Sequence, residues 1–261
     1  MKREVIDNVV HYDCSKCGKM FPAYTVGDIT ADTLESWYSV DEVRLCDNCR
    51  AAAEADEIRK EEDLKRRAFL ADVPRIAIED AGIPEFYLYS RENGELLISP
   101  IVPAAARKIW EHRTKNLLIS GETGAGKSTS ACFVALKMLE RHKAIRYVKL
   151  RKFLAEWKNA RTSKDDYAED RFFNDIRKLD VLIIDEIADK VKYSESGQEL
   201  MYEILDMLYC GEINNSVWML GNFREGVLAD VFGDTDPVFR RIRERFVCLL
   251  IADGTAAEFK I

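Results

Sequence analysis

Eight consecutive residues carry the densest chemistry in this sequence. Gly121-Glu122-Thr123-Gly124-Ala125-Gly126-Lys127-Ser128 satisfies G-x-x-x-x-G-K-[ST] at every fixed position, with Thr129 next in line. Glycines at this spacing let the backbone turn tightly, so that its N–H groups can face phosphate oxygens. A helix starting near Lys127 would add its positive N-terminal end. Lys127 would reach the β- and γ-phosphates, and the Ser128 hydroxyl would bind Mg²⁺. The string therefore predicts a MgATP site rather than an incidental glycine-rich turn.

A second cluster lies 58 residues beyond Lys127, where Val-Leu-Ile-Ile runs into Asp185 and Glu186. A buried strand delivers carboxylates at its end to the edge of a sheet. Asp185 could position Mg²⁺, directly or through water, and Glu186 could polarise a water aimed at the γ-phosphate. Asn222 follows the apolar run 217–220. Its amide could hold that water, or it could simply end a strand in a turn. Arg240, Arg241, Arg243 and Arg245 crowd the segment 237–246. A neighbouring copy's γ-phosphate could receive one of them as a finger, Arg241 being the expected one. The alternatives are a solvated helix face or a surface for a nucleic-acid backbone.

A third constellation is Cys14-Ser-Lys-Cys17 and Cys46-Asp-Asn-Cys49, with 28 residues between the two pairs. Four thiolates at such spacing can close a tetrahedral site around structural Zn²⁺. The gap exceeds the common one and predicts an inserted loop or helix around residues 33–38. Gly18 suits the tight turn of a metal-binding knuckle. Redox pairs or plain buried thiols are the competing readings. His11 is expected at the surface, because four thiolates leave it no place. Cys132, Cys210 and Cys248 sit in apolar runs and are expected in the core.

These residues need elements to position them. Short apolar runs at 116–120 (NLLIS), 144–150 (AIRYVKL), 181–184 and 217–220 alternate with amphipathic stretches at 127–141, 152–161, 168–178 and 198–210. Alternation of this kind predicts an α/β fold, a parallel sheet with helices on both faces. Residues 51–72 are rich in Ala, Glu, Lys and Arg without Gly or Pro, which predicts a solvated connecting helix or a docking helix before Pro74 punctuates the chain. Three zones follow: a zinc-binding module at 1–50, a charged helical connector at 51–74 and an ATPase domain at 75–261. The 261 residues carry a net charge of −7, which argues against bulk, sequence-blind nucleic-acid binding while leaving room for a local basic face. Without a membrane-length apolar run or a signal-type N-terminus, the chain is expected to be cytoplasmic, with no membrane partner.

The order of Gly82-Ile-Pro-Glu-Phe-Tyr87, NLLISGETGAGKST, LDVLIIDEI, MYEILDMLY, WMLGNF and FRRIRERF resembles the AAA+ ATPases of the DnaC/IstB type, over about residues 81–251. Those proteins are replicative helicase loaders and their transposition relatives. The resemblance implies an ASCE-type P-loop NTPase sheet, Asn222 as sensor 1, Arg241 as arginine finger and a nucleotide shared within a homo-oligomer. It also implies a replicative helicase and single-stranded DNA as partners, with ATP hydrolysis timing helicase delivery. An IstB-like ATPase acting on duplex DNA, or a nucleotide-gated adaptor with little turnover, are the alternatives. The sequence departs from the pattern at Asp206-Met-Leu-Tyr-Cys210, where loaders often carry Arg, and at 253–259, where a sensor 2 Arg is missing. Some loaders carry an N-terminal zinc domain, which here could dock protein or bind single strands through Lys16, Lys19, Phe21 and Tyr24.

Overall fold

The computed structural model describes residues 3–6, 9–22, 45–88, 102–187, 195–222, 237–252 and 255–259. Its contacts divide the chain into two units, Met1–Phe69 and Leu70–Ile261. In the first unit, β1 (Arg3–Ile6), β2 (Val9–Asp13) and β3 (Met20–Pro22) form an antiparallel sheet in that order. Helix α1 runs from Asp47 to Arg75, and its described side chains are almost all exposed, with Val73 alone buried. Pro74 does not stop this helix; it sits in the last turn, and a π-turn at Ile76–Asp80 follows. Proline removes one helical N–H there. The Arg75 guanidinium spans the junction, donating to both oxygens of Asp72 at 2.8 Å and to Glu79 at 3.0 Å. The expected insertion around 33–38 lies outside the described residues.

The second unit is built on six strands: β4 (Asn116–Ser120), β5 (Ile145–Lys149), β6 (Val181–Asp185), β7 (Ser216–Gly221), β8 (Phe246–Ala252) and β9 (Thr255–Phe259). Their order is β5-β6-β7-β4-β8-β9. The first five are parallel, and β9 closes antiparallel on β8. The helices are α2 (Val102–Glu111), α3 (Lys127–Leu139), α4 (Leu150–Arg161), α5 (Ala168–Arg177), α6 (Glu195–Cys210) and α7 (Pro237–Arg245). The sequence expectation of a parallel sheet flanked by helices thus holds. From β4 the chain crosses to β5 at the far edge of the sheet, and β6 and β7 then fill the positions back towards β4, so that β7 lies between β4 and β6.

Side-chain alternation sorts the sheet into two faces. Leu118, Val148, Leu182, Ile184, Val217, Met219 and Cys248 join one core cluster with Phe153 and Trp157 of α4, Ile176 of α5, Leu200 and Ile204 of α6 and Ile242 of α7. Their neighbours Leu117, Ile119, Ile183, Trp218 and Leu220 are equally buried and lie outside that cluster, on the opposite face. Burial on both faces explains why the strands read as unbroken apolar runs. Each large side chain removed from water contributes about 1.5–3 kcal/mol.

Strand β5 is the sheet's edge, and the segment after the π-turn covers it. The Tyr147 N–H donates to the Ala81 carbonyl at 2.7 Å. Gly82 follows with φ +72°, and a Cβ placed there would lie 2.8 Å from the Tyr147 carbonyl oxygen. Only glycine meets both demands without strain. Gly82→Ala is expected to cost about 2 kcal/mol or more, read as a lower urea midpoint; an unchanged midpoint would show that the edge contact does not hold this segment.

Candidate functional site

The phosphate-type loop begins where β4 ends at the fully buried Ser120. Gly121 has φ +154°, and a Cβ there would collide with the Ile251 carbonyl, so the loop leaves the sheet pressed against β8. Gly124 and Gly126 hold φ of +85° and +89°, and Gly126 stands directly before α3, which begins at Lys127. The loop therefore turns into a helix N-terminus, whose first N–H groups lack helical partners and favour anions. The Lys127 ammonium folds over the turn and donates to the carbonyls of Gly121 and Glu122, both at 2.9 Å.

Strand register brings the acidic residues to the same edge. Ser120 pairs with Gly221, Ile184 with Met219, and Lys149 with Asp185. Because β7 lies between β4 and β6, Asn222, half-buried, leaves the sheet between the loop and the carboxylates. Phe223 lies outside the described residues. Asp185 is 3 % exposed, and its Oδ1 accepts the Glu186 N–H at 2.8 Å. Glu186 is one of two described non-glycine residues with positive φ, at +62°. Its Oε1 accepts from the Lys149 ammonium at 2.5 Å, an exposed pair.

Two tyrosines that sequence reasoning missed complete this edge. The buried Tyr147 hydroxyl donates to Asp185 Oδ2 at 2.5 Å. Tyr87 lies edge-on to Tyr147, ring centres 6.2 Å apart. Burial first, then the Asp185 charge, pushes the Tyr147 phenol far above its ordinary range, so it stays a donor. The hydroxyl of Ser128 and the carboxylate of Asp185 are oxygen donors of the kind Mg²⁺ takes. The signal for Tyr87 lies in its motif, Gly82-Ile-Pro-Glu-Phe-Tyr87; nothing in the sequence distinguishes Tyr147 from a core aromatic. Behind the loop, Cys132 is fully buried, and burial together with Asp185 holds its thiol protonated.

The arginine segment forms α7. Arg241 does not project from it. Its guanidinium bonds Asp206 at 2.7 Å, lies over Tyr202 and Tyr209 at 4.7 and 5.4 Å, and its side chain is 13 % exposed. Arg240, Arg243 and Arg245 are exposed, and Arg245 lies over Tyr209 at 5.2 Å. The stretch that departs from the loader pattern, 206–210, is thus the clasp for Arg241. Cys210, expected in the core, is exposed at the end of α6, its Sγ 3.8 Å from Asp206 Oδ2. An apolar neighbourhood in sequence does not bury it, because Cys210 lies on the outward side of the last helical turn while Met207 faces the core. Cys248 is buried as expected, and burial pushes its thiol up to about 11. Of the segment read for sensor 2, residues 253–254 lie outside the described residues, and 255–259 form β9.

In the first unit, Cys14 and Cys17 occupy the turn between β2 and β3, while Cys46 and Cys49 flank the start of α1. All four Sγ atoms lie within 4.8 Å of one another, Cys17 and Cys46 at 3.9 Å. Tetrahedral Zn–S bonds of about 2.3 Å place thiolates about 3.8 Å apart, so the cluster fits Zn²⁺. Gly18, at φ +70°, closes the first turn by donating to the Cys14 carbonyl at 2.9 Å. Backbone N–H groups, that of Cys46 foremost, pull the Cys14 thiol down to about 6, favouring its thiolate. Hydrogen bonding with the other three thiols, Cys46 first, pushes Cys49 up to about 12, as expected of neighbours competing for protons. His11 is half-buried in β2, less open than the surface position expected of it.

Comparison with known proteins adds the following. The profile of the family described as IstB-like ATP binding protein matches residues 99–238. The chain is similar to the crystal structure of the DnaC helicase loader at 21 % identity, covering 57 % of this chain and 86 % of that one, with a TM-score of 0.46. It is similar to DnaI at 19 % identity, 65 % and 94 % coverage and a TM-score of 0.47. AMPPCP-bound DnaA from Aquifex aeolicus gives 17 % identity, 63 % and 50 % coverage and a TM-score of 0.47. No curated protein matches the chain.

The geometry generates two expectations. Tyr147→Phe should leave the thermal transition nearly in place while raising the Mg²⁺ needed for half-maximal nucleotide binding about tenfold, the usual scale for losing a partner of a metal ligand; fluorescent-nucleotide titrations at varied Mg²⁺ read this. The purified protein should carry one zinc per chain by elemental analysis. Cys14→Ser with Cys17→Ser should release that metal and open residues 1–69 to protease, while the second unit keeps its own thermal transition.

Proposed function

Because the chain belongs to the family of IstB-like ATP binding proteins, we propose that it is a P-loop ATPase that uses hydrolysis to time the delivery of a replicative helicase onto single-stranded DNA. The observation that carries the ATPase reading is the register of β4, β7 and β6, which gathers the 121–128 loop, Asn222 and Asp185–Glu186 at one sheet edge. In this reading, residues 121–129 wrap the phosphates, Lys127 contacts the γ-phosphate, and Ser128 and Asp185 hold Mg²⁺. Bound there, the ion would neutralise charge on the β- and γ-phosphate oxygens. Glu186 takes a proton from the attacking water, the bond to the β–γ bridging oxygen breaks, and ADP and phosphate leave. Asn222 orients the water. Glu186 is paired with Lys149 here, so the base acts after that pair opens or through its second oxygen.

A trans arginine would complete the site in a homo-oligomer. Arg241 is the finger expected from the sequence, yet its guanidinium is taken up within its own chain. The exposed Arg240, Arg243 or Arg245 is better placed, and Arg241 would then act by fixing α7 on α6. The loader reading draws its support from the four-cysteine unit, which offers a docking module separate from the nucleotide site. We assign residues 1–50 to partner binding through a zinc-held surface, 51–74 to the connector and 75–261 to the ATPase. Among the described residues no helix is long and apolar enough to cross a membrane. The match to IstB-like ATP binding proteins also fits a second reading, an IstB-like ATPase acting on duplex DNA in transposition.

Glu186→Gln should bind MgATP about as tightly as wild type and hydrolyse it at least about a hundredfold more slowly; equal rates would remove Glu186 as the base. Immobilised protein should capture the replicative helicase of its source with ATP and release it with ADP. Absence of capture under either nucleotide, with folded, zinc-loaded protein, would overturn the loader reading and favour the duplex-acting alternative.

A further inference from the structure

Residues 102–143 carry eight Lys and Arg against three Asp and Glu, in a chain of net charge −7. Much of that excess surrounds one groove. Between α2 and α3 lies an open groove of about 290 Å³, with Ala106, Trp110, Phe133 and Val134 as an apolar floor and Arg107, Lys137 and Arg141 on its rim. Trp110 holds two guanidinium groups against its ring, Arg113 at 4.4 Å and Arg141 at 4.6 Å from its centre. Each of those arginines gives one N–H to a nearby carbonyl, Arg113 to Trp110 at 2.9 Å and Arg141 to Lys137 at 2.7 Å. Among the described residues, Arg107, Arg113 and Arg141 have no carboxylate partner, whereas Lys137 is paired with Glu140 at 2.6 Å.

Two arginines on the groove rim and a third against the floor's tryptophan, none paired with a carboxylate among the described residues, suit a ligand that is anionic and flat. A solvated cationic face would spread its charges and pair them. A groove for an apolar helix would need no arginines stacked on its tryptophan. Phosphates suit the guanidinium donors, and bases suit the apolar floor and the exposed edges of the guanidinium planes. A duplex would bring phosphates but bury its bases in the stack. We propose that the α2–α3 groove binds a short stretch of single-stranded DNA, its phosphates on Arg107 and Arg141, with Arg113 beside them on Trp110, and a base over Phe133. This rests on the reading above that single-stranded DNA is a partner, and it names a surface that uses none of the nucleotide-site residues.

The test compares wild type, Arg107→Gln/Arg141→Gln, and Lys164→Gln/Lys178→Gln, which removes two exposed charges elsewhere. Fluorescence anisotropy with a labelled oligothymidylate and with a duplex of equal length is read across salt concentrations, and nucleotide binding confirms that each variant is folded. The groove variant is expected to bind the single strand about tenfold or more weakly at about 0.1 M salt, with the log–log salt slope reduced by about 1.4. The lysine variant is expected to match wild type. Equal weakening of both variants would mean diffuse attraction and overturn the groove, as would unchanged binding by the groove variant or tighter binding of duplex by wild type. A wild type that binds neither nucleic acid would instead overturn the DNA reading on which the groove depends.

Discussion

Three strands, β4, β7 and β6, are zipped in parallel with both faces buried, and the groups read as the nucleotide site hang from their carboxyl ends. Parallel register is unforgiving, because sliding one strand by a residue exchanges its two faces. Here both faces are apolar, so the pattern of each strand alone would tolerate a slip. The termini do not tolerate it: Asp185 must meet the Tyr147 hydroxyl, and the Asn116 side chain accepts the Val217 N–H at 2.9 Å. Polar contacts at the strand ends thus supply the register that the apolar interior leaves loose. They also decide which residues emerge together at the edge.

The N-terminal unit follows a different logic. Its sheet has three short strands, too little to bury a substantial core, and a unit of this size is marginal without a crosslink or a metal. Four thiols gathered from a hairpin turn and a helix start would supply the tie by holding a metal ion. The helix start matters electrostatically as well, since its N–H groups favour thiolate at the cluster. One unit is therefore organised by apolar area and the other by ligand chemistry.

Much of this is legible in the sequence because it is local. The 121–128 loop, the run into Asp185–Glu186 and the paired cysteines are short strings whose chemistry needs neighbours in sequence, and the strands can be read because two buried faces leave continuous apolar runs. What is not legible depends on distant partners. Tyr147 resembles any core aromatic until register places it beside Asp185, 38 residues on. Arg241 reads as a projecting group until Asp206 and Tyr202 of another helix close on it. Cys210 departs from its expected place because an apolar run does not say which side of a final helical turn faces water. Pro74 marks a junction, as its chemistry suggests, but the helix passes through it by one residue.

Glu186 holds its backbone at φ +62°, a region that costs a residue with a Cβ about 1 kcal/mol or more. Glycine would occupy that conformation without strain, and asparagine with little. Stability and the chemistry proposed for Glu186 therefore pull in opposite directions at this position. Selection for a robust fold alone would favour replacing glutamate here. On the proposed role of Glu186 as the base, a glutamate in a strained backbone sets folding against turnover, and relieving the strain with glycine would remove the carboxylate that the reaction needs.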